Sequence, residues 1–195
     1  MSTATKPQVL KGRELIVAVC GGIAAYKVAD LVSQLVQSGA GVTVVMTPDA
    51  PRFVAPLTFQ ALSGRPVRTE IFDLPDSSDP QHIALTERAD LMIVAPATAH
   101  TIAKVAAGLC DDLVSLMISA AACPVVFAPA MNNRMWENPI AKHNVAKLAD
   151  VGYRFIGPEP GWLACRNVGV GRMSEPETIF AEIVRMLSEV SVTSK

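Results

Sequence analysis

Cys165 lies in GPEPGWLACRNVGVGRM (157–173), a stretch rich in glycine and proline with no apolar period. Loops of that length inside compact domains are usually lids or unstructured, and loops rarely bury thiols. A thiol held there is a candidate acid or nucleophile. A second candidate sits in PAMNNRMWENP (129–139), directly after the strand-like run CPVVFA (123–128). There Asn132 stands among Met131, Met135 and Trp136. Two readings are open: Asn132 caps a helix that begins near Arg134, or it anchors a polar group between apolar walls. His82 precedes the helical stretch IALTERAD, and a lone histidine is more often a surface or packed residue than a catalytic one. His143, between Lys142 and Asn144, reads as a solvated helix face.

Two turns could hold an anion. Gly21-Gly22-Ile23 follows the apolar run ELIVAVC (14–20) and opens a helix, so backbone N–H groups can approach a negative group where the helix dipole also favours it. The run is neither GxGxxG nor a Walker loop, and a tight turn alone also explains it. Thr98, Ala99, His100 and Thr101 start another helix, where capping accounts for one of the two hydroxyls. Together the two turns look like a mononucleotide phosphate site.

The elements that would position these groups alternate. ELIVAVC is a strand; Ala24, Val28, Leu31, Val32 and Leu35 form one apolar helical stripe that ends at Gly39. GVTVVMT (41–47) is a second strand, 48–63 helical with a break at Pro56, and LMIVAPA (91–97) a third strand entering helix 98–107. A helix at 111–122, the strand CPVVFAP, a helix at 138–150, the strand YRFIG (153–157) and a closing helix at 176–190 complete the order. Residues 72–82 and 157–173 are irregular. This alternation predicts an α/β fold, a doubly wound parallel sheet with helices on both faces. Ligands of such sheets bind beyond the carboxyl ends of the strands, so GGIAA, TPDA, PATAHT and PAMNN should share one edge.

Half of the 195 residues are apolar and mean hydropathy is +0.33, an excess that suggests surface covered by a partner copy. A net charge of −1 gives no sign of a nucleic-acid or acidic-membrane surface, and neither partner is expected. MSTATKPQ lacks the apolar core of a signal peptide, and Pro124 and Pro129 divide the longest apolar run, 113–130, into helix and strand, not a membrane span. Cys20, Cys110, Cys123 and Cys165 show no metal-ligand spacing and read as reduced thiols of a cytoplasmic protein; the first three lie in apolar runs and are expected in the core.

GGIAAYK (21–27), HIAL (82–85), APATAHTIAK (95–104), GLCDDL (108–113), PAMNNRMW (129–136) and LACRNVGVGRMSEP (163–176) resemble, in order and spacing, the flavin-containing cysteine decarboxylases. The likeness covers roughly residues 13–190, and PAMNNRMW with LAC…GxGRM is its specific part. It implies a flavodoxin-like domain at 13–190 between a polar tail, 1–12, and a C-terminal tail, 191–195. It also implies bound FMN and a homotrimer or a dodecamer of trimers. The implied reaction is redox-neutral decarboxylation of 4'-phosphopantothenoylcysteine to 4'-phosphopantetheine in coenzyme A biosynthesis. The alternatives are a decarboxylase of a peptide C-terminal cysteine and a flavin-binding regulatory subunit without catalysis. A fused ligase, present in some bacterial members, is not expected in this length.

By motif, the resemblance makes His82, Asn132 and Cys165 catalytic, with Cys165 the proton donor on a substrate-covering flap. It assigns FMN to Gly21, Gly22, Ile23, Thr47, Pro48, Asp49, Thr98, Ala99, His100, Thr101 and Ala130, and substrate to Met131, Asn132, Met135 and Arg172. Two departures stand out: His100 replaces the asparagine of PATANT, and Arg166-Asn167 replace the Gly-Asp of ACGD.

Overall fold

Four apolar runs, buried on both faces, and a short edge strand pair side by side through the backbone. They are β1 (Glu14–Val19), β2 (Gly41–Met46), β3 (Leu91–Ala97), β4 (Val125–Pro129) and the two-residue β5 (Arg154–Phe155). All pairings are parallel, in the order β2-β1-β3-β4-β5; this is the doubly wound arrangement that the alternation predicts, in the flavodoxin-like order that the resemblance implies. The computed structural model describes residues 8–71 and 81–193, without the side chains of Gln8, of residues 81–84 or of residues 190–193.

Alternation along β1 sorts the two layers. Leu15, Val17 and Val19 point to one face with α1 (Ala25–Gln37), α2 (Pro56–Ser63) and α8 (Pro176–Thr193). Ile16 and Ala18 point to the other, with α4 (Ala99–Ala106), α5 (Leu113–Ala120) and α7 (Pro139–Asp150). Two further helices, α3 (Gln81–Arg88) and α6 (Asn133–Glu137), lead into β3 and α7. The apolar stripe of α1 is buried as the spacing predicts, and Gly39, just past its C-cap, takes φ +90°. Among the described residues no helix is long and apolar enough to cross a membrane.

Five expectations are corrected. Residues 48–63 are not one broken helix: a 3-10 turn, Ala50–Arg52, precedes α2. Ala55 is extended (ψ 140°) because Pro56 behind it excludes the helical region. Leu10, placed in a tail by sequence, is fully buried in the core, and α8 runs to Thr193, past 190. Cys110 and Cys123 are only partly buried, leaving Cys20 as the core thiol. Finally, 157–173 is not an irregular loop. It forms an antiparallel hairpin of β6 (Glu159–Trp162) and β7 (Val168–Arg172). Its joining loop is closed by Arg166 N–H donating to Leu163 O (2.8 Å) and Leu163 N–H to Asn167 O (2.9 Å).

Candidate active site

The strand order reverses between β1 and β3, and there the carboxyl ends of the strands open into a cavity of about 1040 Å3. It is lined by Gly21, Gly22, Ile23, Thr47, Pro48, Asp49, Thr98, Ala99, His100, Thr101 and Ala130, together with Met131, Asn132, Met135, Cys165 and Arg172. The four post-strand segments do share one edge. Of the residues singled out from the sequence, His82 is on the first turn of α3, and its side chain lies outside the described residues. Trp136 does not line the cavity, contrary to the apolar wall expected of it; it faces α7, with Lys142 Nζ 4.3 Å from its ring centre. His143 is exposed.

At one end the backbone is the ligand-facing surface. Gly21 N–H donates to Thr47 Oγ1 (3.1 Å), and a Cβ on Gly21 would sit 2.7 Å from that of Asp49. Glycine is therefore required there by the approach of the turn after β2. No side chain caps α1, and the N–H groups of Gly22, Ile23 and Ala24 have no acceptor among the described residues. Such an uncapped start is suited to an anion. Thr98, in contrast, caps α4 by accepting from Thr101 N–H (3.2 Å), with the two hydroxyl oxygens 3.1 Å apart.

At the other end the cap expected of Asn132 is present, and it leaves the amide nitrogen available. Its Oδ1 accepts from Arg134 N–H (2.8 Å), so the residue does cap α6. That bond fixes which side of the amide is oxygen, and leaves the Nδ2 donors without a partner among the described residues. β7 packs against this turn: Met131 N–H donates to Gly171 O (2.9 Å). A Cβ on Gly171 would lie 2.3 Å from Met131 O, and one on Gly169 would lie 2.9 Å from Asn133 Cβ. The two glycines are thus set by close approach.

Cys165 is exposed at the hairpin tip and faces the cavity. Asn167 Nδ2 is 4.0 Å from its sulfur, a donor where an aspartate would present only acceptors. Arg166 holds φ 64°, a left-handed conformation that costs a side chain roughly 1–2 kcal/mol and that glycine adopts freely.

Sequence reasoning missed the buried charges. Lys104 Nζ lies 2.7 Å from Asp112 Oδ2 and 2.8 Å from Asp111 Oδ1, and Lys104 and Asp112 line the cavity. Burial works to raise the Asp112 carboxyl, but Lys104 and the Ser115 N–H outweigh it and hold it below its usual value. Lys27, also in the lining, bonds Glu175. Burial pushes the Cys20 thiol up to about 11, against a bond from Thr101. The capping pattern of Asp112 with Ser115 was readable from sequence; pairings across the fold had no local signal.

The family described as Flavoprotein matches residues 3–188. The chain belongs to the flavoprotein family. Among curated relatives, this flavoprotein is 50% identical over 170 residues to the coenzyme A biosynthesis bifunctional protein CoaBC of Bacillus subtilis (strain 168), covering 87% of this chain and 42% of that protein. It is 44% identical over 182 residues to CoaBC of Escherichia coli (strain K12), covering 93% and 45%. The flavoprotein thus spans less than half the length of these relatives. Among solved structures, it matches a PPC decarboxylase mutant complexed with pantothenoylaminoethenethiol with a TM-score of 0.81 and 31% identity, over 92% of this chain and 100% of that one. The FMN-dependent cysteine decarboxylase SpaF matches with a TM-score of 0.79 and 30% identity, over 93% and 99%.

Proposed function

We propose that this flavoprotein is an FMN-dependent carboxy-lyase that decarboxylates 4'-phosphopantothenoylcysteine to 4'-phosphopantetheine in coenzyme A biosynthesis. The observation that carries the reading is the single cavity that joins an uncapped helix start, the free Asn132 amide donors and the Cys165 thiol. The PPC decarboxylase and CoaBC likenesses support the same substrate.

The residues fit FMN. Gly22, Ile23 and Ala24 offer unpaired N–H groups, Thr98 and Thr101 offer hydroxyls, and Ala130 and Met131 offer apolar surface. When bound, FMN supplies a reversible two-electron oxidation of the thiol-bearing carbon, so that sulfur can take the charge CO2 leaves behind. Asn132 Nδ2 donates to the substrate carboxylate and orients it. Met131 and Met135 keep water from that carboxylate, favouring its departure as neutral CO2. Cys165 Sγ–H gives a proton to the carbon that has lost CO2, next to the thiol-bearing carbon, and the exposed thiol regains one from solvent. His82 is assigned to the first oxidation by sequence resemblance. Arg172, in the lining, is assigned to the substrate.

A cytoplasmic homo-oligomer, a trimer or a dodecamer of trimers, belongs to the same reading. Supporting it are Ile23 and Tyr26, beside the cavity yet 62% and 61% exposed, and four unpaired cysteines. The experiment is mass spectrometry of the FMN-loaded protein with phosphopantothenoylcysteine and, in parallel, a cysteine-terminated peptide. Loss of CO2 from the first alone supports the reading; loss from the peptide alone replaces it, and protein that takes up no FMN removes it.

A further inference from the structure

Two cations from distant parts of the chain face the cavity, and one carboxylate holds both. Lys27 Nζ, on the first turn of α1, donates to Glu175 Oε1 at 2.9 Å and Oε2 at 2.8 Å, across 148 positions of sequence. Arg172 Nη1, at the end of β7, is 3.3 Å from Glu175 Oε1. Its Nη2 is 3.7 Å from Glu159 Oε2 on β6, the cross-strand neighbour of Arg172. The chain of charges therefore runs from α1 through the segment after β7 into both strands of the hairpin.

The hairpin needs such an anchor. Two strands alone are marginally stable, and β6 and β7 pair with no strand of the main sheet. On the asparagine side the hairpin is seated by the Met131–Gly171 bond; on the α1 side the link is Glu175. Arg172 Nε is buried without a partner among the described residues, and a Cβ on Gly161 would lie 3.0 Å from it. The orientation of that guanidinium beneath β6 thus depends on its two carboxylates. Lys27, 16% exposed, has little water to replace the bond it makes. The hydrogen bond from Lys27 holds the Glu175 carboxyl below its usual value, against burial.

We infer that Glu175 is a positioning residue for the flap: by holding Lys27 and Arg172 at once, it sets where the β6–β7 hairpin, and with it Cys165, lies over the cavity. The catalytic consequence rests on the decarboxylase reading; the tether does not. Glu175→Gln keeps the shape and one acceptor but removes the charge, and Glu175→Asp keeps the charge on a shorter arm.

The test uses the FMN-loaded full chain and two readouts. Amide exchange in 159–172 should be about tenfold faster in Glu175→Gln, with β1 and β3 unchanged. Product formed from phosphopantothenoylcysteine should contain the oxidised ene-thiol, lighter by H2, because proton delivery lags, and kcat should fall more than KM rises. Glu175→Asp should restore part of both effects. Exchange in the hairpin indistinguishable from wild type overturns the tether. Faster exchange with fully reduced product at wild-type kcat overturns the positioning role. If the wild-type protein releases no CO2, the functional reading fails separately, and the exchange readout alone decides the tether.

Discussion

Gly171→Ala tests how the flap is seated. An alanine Cβ would be 2.3 Å from Met131 O and 3.3 Å from Asn133 N. Ordinary carbon–oxygen contact requires β7 to retreat by about 1 Å, and both close atoms are backbone, so the turn cannot yield by turning a side chain. Overpacking of this kind costs about 1–3 kcal/mol. The retreat also breaks the 2.9 Å bond from Met131 N–H to Gly171 O, worth about 0.5–1.5 kcal/mol. The sum, about 1.5–4.5 kcal/mol, corresponds to roughly 10- to 2,000-fold in the docking equilibrium of the hairpin. The main sheet makes no strand pairing with β6 or β7, so the loss should be local. Amide exchange in 159–172 rises by that factor while β1 and β3 stay protected. On the decarboxylase reading, formation of fully reduced product falls with it, up to the same factor, and oxidised ene-thiol accumulates, because Cys165 is no longer held over the substrate. Gly108→Ala is the control: Gly108 also has positive φ (+72°), but nothing lies within 4 Å of its Cβ position. If the two variants show the same exchange in the hairpin, β7 is not seated on Met131 and the account of the flap is wrong.

Cys165→Ser should still release CO2 but accumulate the oxidised ene-thiol, read by product mass; reduced product at the wild-type rate removes Cys165 as the acid. Asp112→Asn keeps an acceptor for the Ser115 N–H (now 2.8 Å) but removes the charge facing Lys104, whereas Asp112→Ala also loses the cap. Chemical denaturation should find the alanine variant about 1 kcal/mol less stable than the asparagine one. Glu175 and Asp112 titrate in the fold below their ordinary values of 4.5 and 3.8. Their stabilisation is therefore complete above those values and lost as pH falls through the folded ones. The opening equilibrium of the hairpin, taken as amide exchange relative to the intrinsic rate at each pH, should rise in wild type from pH 7 into acid, and the rise should be blunted in Glu175→Gln. Cys20 has the opposite sign: its folded value is raised from 9.0 to about 11, so its contribution is full below pH 9.0 and declines as pH climbs toward 11. Thermal midpoints across that range, compared with Cys20→Ala, measure it.

The sheet was legible in the residues because parallel strands buried on both faces must be continuously apolar, and β1 to β4 are. The helix stripes and the glycine turn after β1 were legible for local reasons too, and the rule for ligands at strand ends brought GGIAA, TPDA, PATAHT and PAMNN to one edge. The hairpin was not legible. Val168-Gly-Val-Gly-Arg172 shows no strand signal of its own, since its glycines answer to the backbone of Met131 and the side chain of Asn133, some forty residues earlier in sequence. Asn132 shows the division most plainly. Local sequence allowed a cap or an anchor; the folded turn uses the oxygen as the cap and leaves the nitrogen without a partner among the described residues. Likewise Lys27 reads locally as a polar helix residue, and only packing brings it to Glu175. Periodicity and turn chemistry are short-range properties that a sequence carries by itself; which charges meet, and which glycines must be glycines, depends on surfaces that exist only once the layers have closed.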